Sequence, residues 1–337
     1  MGAVSGRNIV RVYQQFFDTT VLNGHMIDAR LQTLRVLAQQ GTVTAAAGVL
    51  HLTPSTVSQQ LRGLSRDLGV DLLEVDGRRV RLTAAAHTVL EHADVLHAQW
   101  ARAQAALAGH RHGTAGHLRL CGVSSALAAL FAPAADTLRH THPEMTVQLD
   151  EEESDDCFPL LLTNRTDIAV LIPTPDSPPP DDARFDQQPL LDEPQDLLVA
   201  TSHRLAHRDS VELADAADET WIAAPDRVDQ YQLLLVACAA AGFTPRITHQ
   251  AKEWFAVSAL VARRFGVCLI PRLAPIPPTH DVTRVPLQGK PTPSRRLIIC
   301  IRRGSDRQPT IASGLQALHH VTHHMVDRHG QAQRQQA

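Results

Sequence analysis

The sequence predicts a mixed fold class: an all-α N-terminal unit that leads into one long helix, followed by a larger α/β domain. Three observations predict it. Apolar residues recur with helical spacing between Met26 and Leu64, a heptad repeat runs from Ala86 to Leu107, and strand-like and helical runs alternate after His117. A chain of 337 residues is long enough for two or three separate cores.

Three helices are predicted in the N-terminal unit. The first ends at Gly41, the second begins at Thr42 or Val43, and Pro54 opens a third that ends near Gly69. Proline suits the first position of a helix because its missing N–H has no partner there and its φ is already helical. The residue before this proline is a threonine, which is expected to cap the helix.

The third helix has the composition of one that reads the major groove of DNA. Val57, Leu61 and Leu64 recur at i, i+4 and i+7, so they are expected to be buried and to leave a polar face outside. Hydroxyls at a helix N-terminus can bind phosphate oxygens, Gln can pair with adenine, and Arg with guanine or phosphate. An ordinary solvated helix face is the alternative. The candidate DNA-binding residues here are Thr42, Thr44, Thr53, Pro54, Ser55, Thr56, Ser58, Gln59 and Arg62.

Two short extended runs on either side of Asp76-Gly77 predict a β-hairpin. Arg78, Arg79 and Arg81 form a basic cluster at or next to its tip, as a wing that contacts the DNA backbone or minor groove would require. The N-terminal unit is therefore predicted to be a winged helix-turn-helix, with double-stranded DNA as its partner.

A long helix is predicted from the N-cap Thr83 to about Ala108. Its two heptad core positions are Ala86, Ala93, Trp100 and Leu107 for one, and Val89, Leu96 and Ala103 for the other. Such a repeat indicates pairing with a second copy of the helix, and hence a homodimer or homotetramer. The alternative is an amphipathic helix that packs on its own domain.

The composition excludes several classes of protein. The formal net charge is −3, so a DNA contact must be local rather than spread over the surface. The five cysteines stand singly, which argues against a disulfide framework or zinc finger and suits a reducing cytosol. No apolar run approaches the length of a membrane span, and no secretory signal is recognisable. We therefore expect a cytoplasmic, nucleoid-associated protein without cofactor.

The α/β half is predicted to contain a mainly parallel sheet, since strands and helices alternate. The expected strands are Leu118–Val123, Thr146–Asp150, Ile168–Ile172, Asp196–Thr201, Val267–Pro271 and Leu297–Ile301.

These motifs resemble those of LysR-type transcriptional regulators. The N-terminal pattern of that family appears as Gly41-Thr42-Val43-Thr44-Ala45-Ala46-Ala47 through Leu61, then Leu68-Gly69-Val70-Asp71-Leu72-Leu73-Glu74-Val75. Leu73 and Val75 depart from the usual Phe and Arg, and Thr83-Ala84-Ala85-Ala86 departs from Thr-x-Ala-Gly. The similarity continues over 117–303, through Gly116-His117-Leu118-Arg119-Leu120-Cys121-Gly122 and Phe265-Gly266-Val267-Cys268-Leu269-Ile270-Pro271-Arg272.

The resemblance implies a two-lobed effector-binding domain with a small-molecule effector between the lobes, and RNA polymerase as a further candidate partner. It also places the usual start of the chain at Met26. The expected domains are an extension outside the fold at 1–25, the winged helix-turn-helix at 26–83, a linker helix and hinge at 84–116, an effector-binding domain at 117–329 (lobe I at 117–190 and 278–329, lobe II at 191–277) and a tail at 330–337.

An effector is expected beyond the carboxyl ends of the strands, where open α/β sheets bind ligands. The turn Val123-Ser124-Ser125 suits an amino acid or another carboxylate, unless a serine there only caps the next helix. The acidic run from Asp150 to Asp156 indicates either a cationic effector or a solvated loop. The candidate effector-binding residues are Ser124, Ser125, Glu152, Pro173, Pro225 and Trp254.

Two weaker signals in the sequence point to other sites, and two other functions are alternatives. His319, His320, His323 and His324 have a metal-ligand spacing on one helix, but no carboxylate or cysteine joins them, so no metal site is predicted. Cys157 is the candidate for a redox sensor, because Cys121, Cys268 and Cys300 fall in predicted strands. A solute sensor without a DNA role would leave residues 26–82 unexplained. No catalytic motif supports an enzyme.

Overall fold

The computed structural model describes residues 27–76, 79–108, 116–225, 229–289 and 292–335. The chain divides into two compact units, the first formed mainly by residues up to 111 and the second by most of the remainder. The first contains helices α1 (Ala29–Gln40), α2 (Val43–Leu50) and α3 (Pro54–Leu68), strands β1 (Leu73–Asp76) and β2 (Arg79–Leu82), and helix α4 (Ala84–Ala108). The expectations for residues 1–26 lie outside the described residues.

Local sequence signals set the ends of these helices. Thr53 Oγ1 accepts from the backbone N–H three residues further on at 3.1 Å, and Thr42 and Thr83 cap α2 and α4 in the same way. Gly41 and Gly69 follow α1 and α3 with φ of +70° and +69°, a left-handed conformation that glycine adopts without steric cost. The predicted caps at Thr53 and Thr83 and the stop at Gly69 are confirmed.

The core of the first unit forms where α1, α2 and α3 meet. Val57, Leu61 and Leu64 are all buried in it, as the spacing predicts. β1 and β2 pair antiparallel in the predicted hairpin.

Helix α4 divides its apolar residues between two surroundings, which corrects part of the heptad interpretation. Ala86 belongs to the core of the first unit, Ala93 is also buried, and Arg35 of α1 binds the neighbouring Asp94 at 2.6 Å. These two heptad positions therefore pack inside the chain. The large apolar side chains exposed on the described part of this helix are Val95, Leu96 and Leu107.

The second unit carries the α/β elements. Its helices are α5 (Ser124–Ala126), which runs through a π-helical turn (Leu127–Phe131) into α6 (Ala132–Thr141), then α7 (Ser154–Leu162), α8 (Asp229–Ala240), α9 (Trp254–Ala262) and α10 (Pro309–Gln335). Its strands are β3 (Gly116–Gly122), β4 (Met145–Glu151), β5 (Ile168–Leu171), β6 (Phe185–Ala200), β7 (Val211–Glu212), β8 (Thr220–Ala223), β9 (Arg246–Gln250), β10 (Cys268–Pro271), β11 (Val282–Gln288) and β12 (Ser294–Arg302).

The sheet is mixed, not mainly parallel as expected. The strand order is β4-β3-β5-β12-β6-β11-β7, with β10 also on β6 and a separate β8-β9 pair. β3 lies parallel to β4 and β5, but β12 is antiparallel to β5, and β10 and β11 are antiparallel to β6. The reason is the sixteen-residue β6, which pairs beside β12 in lobe I and then, in lobe II, has an antiparallel neighbour on each of its two edges, β10 and β11.

Each lobe has its own core, and the boundary between them differs from the expected one. Lobe I packs around Leu118, Phe131 and Ile299, and lobe II around Trp221 and Leu197. Val285 and Leu287 of β11 also belong to the lobe II core, so the chain returns to lobe I after Gln288 and not at 278. Strand pairing decides this, because β11 bonds to β6 and β7. Among the helices described, none combines the length and apolar character needed to cross a bilayer.

Candidate functional site

The exposed face of α3 carries the predicted groove-reading side chains. Ser55 and Gln59 are exposed, and Thr56 and Ser58 are half-buried. Thr53 Oγ1 lies 2.8 Å from both Ser55 Oγ and Thr56 Oγ1, so three hydroxyls cluster at the helix N-terminus. The positive end of the helix and these hydroxyls form a surface that suits a phosphate oxygen.

Adjacent glutamines on α3 have different surroundings. Gln60 Oε1 accepts from Thr33 Oγ1 at 2.5 Å and so ties α3 to α1. Gln59 points outward and makes no side-chain hydrogen bond within the described part of the chain. Arg62 is exposed, with its Nε bonded back to the carbonyl oxygen of Ser58 at 3.2 Å. Gln59 therefore has all its amide groups available for a base.

The wing is described only in part. Arg78 and the side chain of Arg79 lie outside the described residues. Arg81 of β2 is exposed but forms an ion pair with Glu74 of β1, with Nε 2.7 Å from Oε1. A phosphate contact from Arg81 must therefore compete with a carboxylate on the neighbouring strand.

The second unit contains a cavity of about 280 Å³ between the two lobes, called here the interlobe cavity. The cavity lies where strands of both lobes end. Its wall is formed at the carboxyl ends of β3, β4 and β5 in lobe I and of β8 and β9 in lobe II. Its lining residues are Val123, Ser124, Ser125, Glu151, Glu152, Glu153, Asp156, Ile172, Ile222, Ala223, Ala224, Gln230, Leu234, Ala251, Lys252, Glu253, Trp254, Val257, Cys268, Leu269 and Arg295.

Four predicted effector-binding residues, Ser124, Ser125, Glu152 and Trp254, line this cavity. Pro173 and Pro225 do not. The residues that directly precede them, Ile172 and Ala224, line it instead. At both strand ends the chain leaves the cavity wall at the proline.

A buried ion pair lies behind the serine turn. Arg295 of β12 donates from Nε to Glu193 Oε2 at 2.6 Å and from Nη2 to Ser125 Oγ at 2.5 Å. Glu193 Oε1 in turn accepts from the backbone N–H of Leu273 at 2.6 Å. Val123, and not a serine, occupies the N-cap position of α5, and it makes no side-chain bond there. Ser125 therefore anchors a guanidinium instead of capping the helix.

An amide pair forms part of the lobe II wall. Gln230 Nε2 donates to Gln195 Oε1 at 2.9 Å and to the carbonyl oxygen of Leu269 at 3.1 Å. Because a carbonyl can only accept, the nitrogen of Gln230 must face Leu269, and this fixes the orientation of both amides. Gln230 Oε1 and Gln195 Nε2 are left buried without a hydrogen-bond partner.

The remaining wall is strongly acidic. Burial, and then the neighbouring carboxylates of Asp156 and Asp150, raise the pKa of Glu152 above its ordinary value. Burial also raises the pKa of Asp156. Glu153 lies two residues after β4 and Lys252 two residues after β9. Lys252 Nζ is 2.5 Å from Glu153 Oε1, so this ion pair joins the two lobes. Four residues of the acidic run, Glu151, Glu152, Glu153 and Asp156, therefore line the cavity.

The redox interpretation of Cys157 is wrong. Its side chain is fully buried, and a hydrogen bond with the Cys121 thiol together with burial raises the pKa of the Cys157 thiol well above its ordinary range. A reactive cysteine needs exposure and a lowered pKa. Cys121, Cys268 and Cys300 are buried, as predicted. Among the described residues, no three His, Cys, Asp or Glu side chains come together as ligands for a metal ion.

Sequence reasoning did not assign Asp156, Gln230, Lys252 and Arg295 to the site. Arg295 and Arg296 directly precede the apolar run predicted as the strand Leu297–Ile301, a position where a charged residue needs a partner, and this signal could have identified Arg295. Gln230 carried no comparable signal, since its role depends on Gln195 and Leu269.

Two family models match the chain. Residues 29–87 match the model described as "Bacterial regulatory helix-turn-helix protein, lysR family", and residues 111–322 match the "LysR substrate binding domain". The second match alone covers more than half of the chain.

Curated relatives and solved structures agree with these matches. MetR of Haemophilus influenzae is 29% identical over 248 residues, which cover 73% of this chain and 78% of that protein. OxyR of Escherichia coli is 28% identical over 286 residues, 82% and 89% of the two chains. A full-length OxyR variant from Pseudomonas aeruginosa has a TM-score of 0.59 at 22% identity, and the match covers 87% of this chain and 95% of that one. Full-length CbnR complexed with its target DNA has a TM-score of 0.52 at 21% identity, and the match covers 88% of this chain and 100% of that one. The structural likeness shows a common fold.

Proposed function

The chain belongs to the LysR family of DNA-binding transcriptional regulators, and from that premise we propose which of its residues read DNA and where a small molecule controls it. The observation that carries the proposal is the pairing of an exposed, polar α3 with an interlobe cavity in the same chain.

We propose that α3 enters the major groove and that Gln59 reads a base. Gln59 is exposed and unengaged, whereas Gln60 is held by Thr33, so the outward glutamine is the one available for bidentate pairing with adenine. Ser55 and Thr56 would contact phosphate, and Thr42 and Thr44 at the start of α2 lie exposed for the same purpose. Arg78, Arg79 and Arg81 would hold the backbone beside the groove.

We propose that α4 brings two copies together. Val95, Leu96 and Leu107 expose apolar surface on this helix, and a second copy would cover it. A two-fold pair presents two α3 helices to a two-fold symmetric operator. This proposal includes a homodimer or homotetramer, a contact with RNA polymerase and a place in the cytoplasm at the nucleoid. It also includes the domain limits given above, with lobe II extended to Gln288.

The interlobe cavity is the proposed effector site. Ser124, Gln230 and Trp254 supply a hydroxyl, an unpartnered amide oxygen and an aromatic wall. A ligand there touches both lobes, so it favours whichever arrangement of the lobes it fits best, and the shift in population would change DNA binding.

A gel-shift titration on the DNA upstream of its own coding region tests the proposal. The expected result is sequence-selective binding that weakens steeply with added salt. The relative affinities for operator variants should change in Gln59→Ala and stay constant in the adjacent control Gln60→Ala. Equal binding to every sequence by the wild-type protein would contradict the proposal.

A further inference from the structure

The interlobe cavity has an excess of negative charge. Its wall carries five carboxylates, Glu151, Glu152, Glu153, Asp156 and Glu253, and two cations, Lys252 and Arg295. Both cations are already engaged, since Lys252 binds Glu153 and Arg295 binds Glu193. An anionic ligand entering this cavity would therefore meet acceptors that repel it and cations that already have partners.

Glu152 is the carboxylate with the clearest need of a partner. It follows β4 and lines the cavity, and its side chain has neither an ion pair nor a hydrogen bond among the residues that the structure describes. Asp156 has an alternative role, because a carboxylate in the first turn of α7 also stabilises the helix. Glu153 already has a cation in Lys252. Burial and the charges of Asp156 and Asp150 raise the pKa of Glu152 and outweigh the opposing charge of Arg165, so negative charge dominates around this carboxylate.

A second and independent observation lies on the opposite lobe. Gln230 is 7% exposed and lines the cavity, and its Oε1 has no hydrogen-bond partner. The bonds that its Nε2 donates to Leu269 and Gln195 fix the orientation of the amide. The atom left without a hydrogen bond is therefore the oxygen, which can only accept. A buried acceptor without a partner costs free energy, and an N–H donor on a ligand removes that cost.

We propose that the effector carries a cationic nitrogen with N–H groups, an ammonium or a guanidinium, which binds Glu152 on lobe I and donates to Gln230 Oε1 on lobe II. This inference rests on the proposed effector site and specifies the chemical class of its ligand. A nitrogen that bonds to both lobes would favour the arrangement in which the lobes are close together.

Binding of paired compounds to the full-length protein tests this class. The cationic probes are L-arginine, L-lysine and putrescine, the neutral counterparts of similar shape are L-citrulline, L-norleucine and butane-1,4-diol, and the anionic probe is L-glutamate. Thermal shift and titration calorimetry measure binding, and a gel shift with each compound measures its effect on DNA binding. At least one cationic probe should bind and raise the melting temperature, and its neutral counterpart should not.

Three variants locate the cation. Glu152→Gln keeps the side-chain shape and should weaken the cationic probe roughly tenfold or more, because a charge-assisted bond is lost. Lys252→Met removes a competing positive charge and should tighten the same probe, a gain that a damaged fold cannot produce. Glu144→Gln changes an exposed carboxylate outside the cavity and should leave the affinity unchanged.

The outcomes separate the ligand class from the proposed function. Tighter binding of a neutral or anionic compound, with a change in DNA binding, would overturn the cationic class and leave the effector site standing. Unchanged affinity in Glu152→Gln would also overturn the class. If no compound of any charge binds, both the class and the proposed control by an effector of this size fail.

Discussion

Arg295 and Glu193 form a buried ion pair between the two strands that connect the lobes, with Nε 2.6 Å from Oε2 and side chains 4% and 1% exposed. Their chain neighbours Arg296 and Asp192 form a second pair at 2.9 Å, with side chains 64% and 65% exposed. Successive side chains on a strand point to opposite faces, so β6 and β12 place the same charge pair once in the interior and once in solvent.

This arrangement predicts very different costs for two similar substitutions. Glu193→Gln leaves the Arg295 charge buried and unpaired, and should lower the free energy of unfolding by about 3–5 kcal/mol. Asp192→Asn breaks only the exposed pair and should change it by about 0–1 kcal/mol. Urea unfolding followed by circular dichroism measures both. Equal losses in the two variants would show that burial does not decide the strength of this interaction.

The two glutamines of α3 should separate specificity from stability. Gln59→Ala removes an outward amide and should lower the discrimination at one base pair by about 1–3 kcal/mol, while stability changes by less than about 0.5 kcal/mol. Gln60→Ala breaks the bond to Thr33 and should cost about 1 kcal/mol of stability with unchanged base preference. Competition gel shifts and thermal unfolding of both variants make the comparison. A changed base preference in Gln60→Ala alone would reverse the assignment.

Glu74 should restrain the wing. Glu74→Gln releases Arg81 and removes a negative charge close to the DNA backbone, so affinity should rise roughly two- to fivefold for all sequences alike at low salt. The gain should shrink as salt is added, because exposed charges are screened. Salt titrations of operator and non-operator DNA measure it, with Glu144→Gln as the control. A gain limited to the operator would contradict a backbone contact.

The raised pKa of Glu152 predicts how the stability of the ligand-free protein varies with pH. A carboxyl whose pKa is raised on folding costs stability when it is ionised, so the cost is present above the folded pKa and disappears as the pH falls below the unfolded pKa. Glu152→Gln should therefore melt at a higher temperature than the wild type near neutral pH. The difference should narrow as the pH falls through the raised folded pKa toward the ordinary pKa of a glutamate. Melting curves between about pH 4 and pH 8 test this, with Glu144→Gln measured alongside as the control.

Local patterns predicted much of the first unit. The threonine caps, the glycines at helix ends, and the inward spacing of Val57, Leu61 and Leu64 depend on residues only a few positions apart, and all are found in the structure. The heptad of α4 was less reliable. Periodicity says which face of a helix is apolar, and only packing says whether its own domain or another chain covers that face, as Ala86 and Leu107 show.

The sequence by itself determined the family, the polar face of α3 and four of the residues that line the interlobe cavity. It could not determine the chemistry of that cavity. Ser125 and Arg295 are 170 residues apart in the chain, and the contacts of Gln230 with Gln195 and Leu269 join three separate elements of lobe II. The pairing of β6 with β12 and with β10 sets these contacts, because long-range hydrogen bonds and burial depend on the register of the whole sheet and leave no local periodic signal.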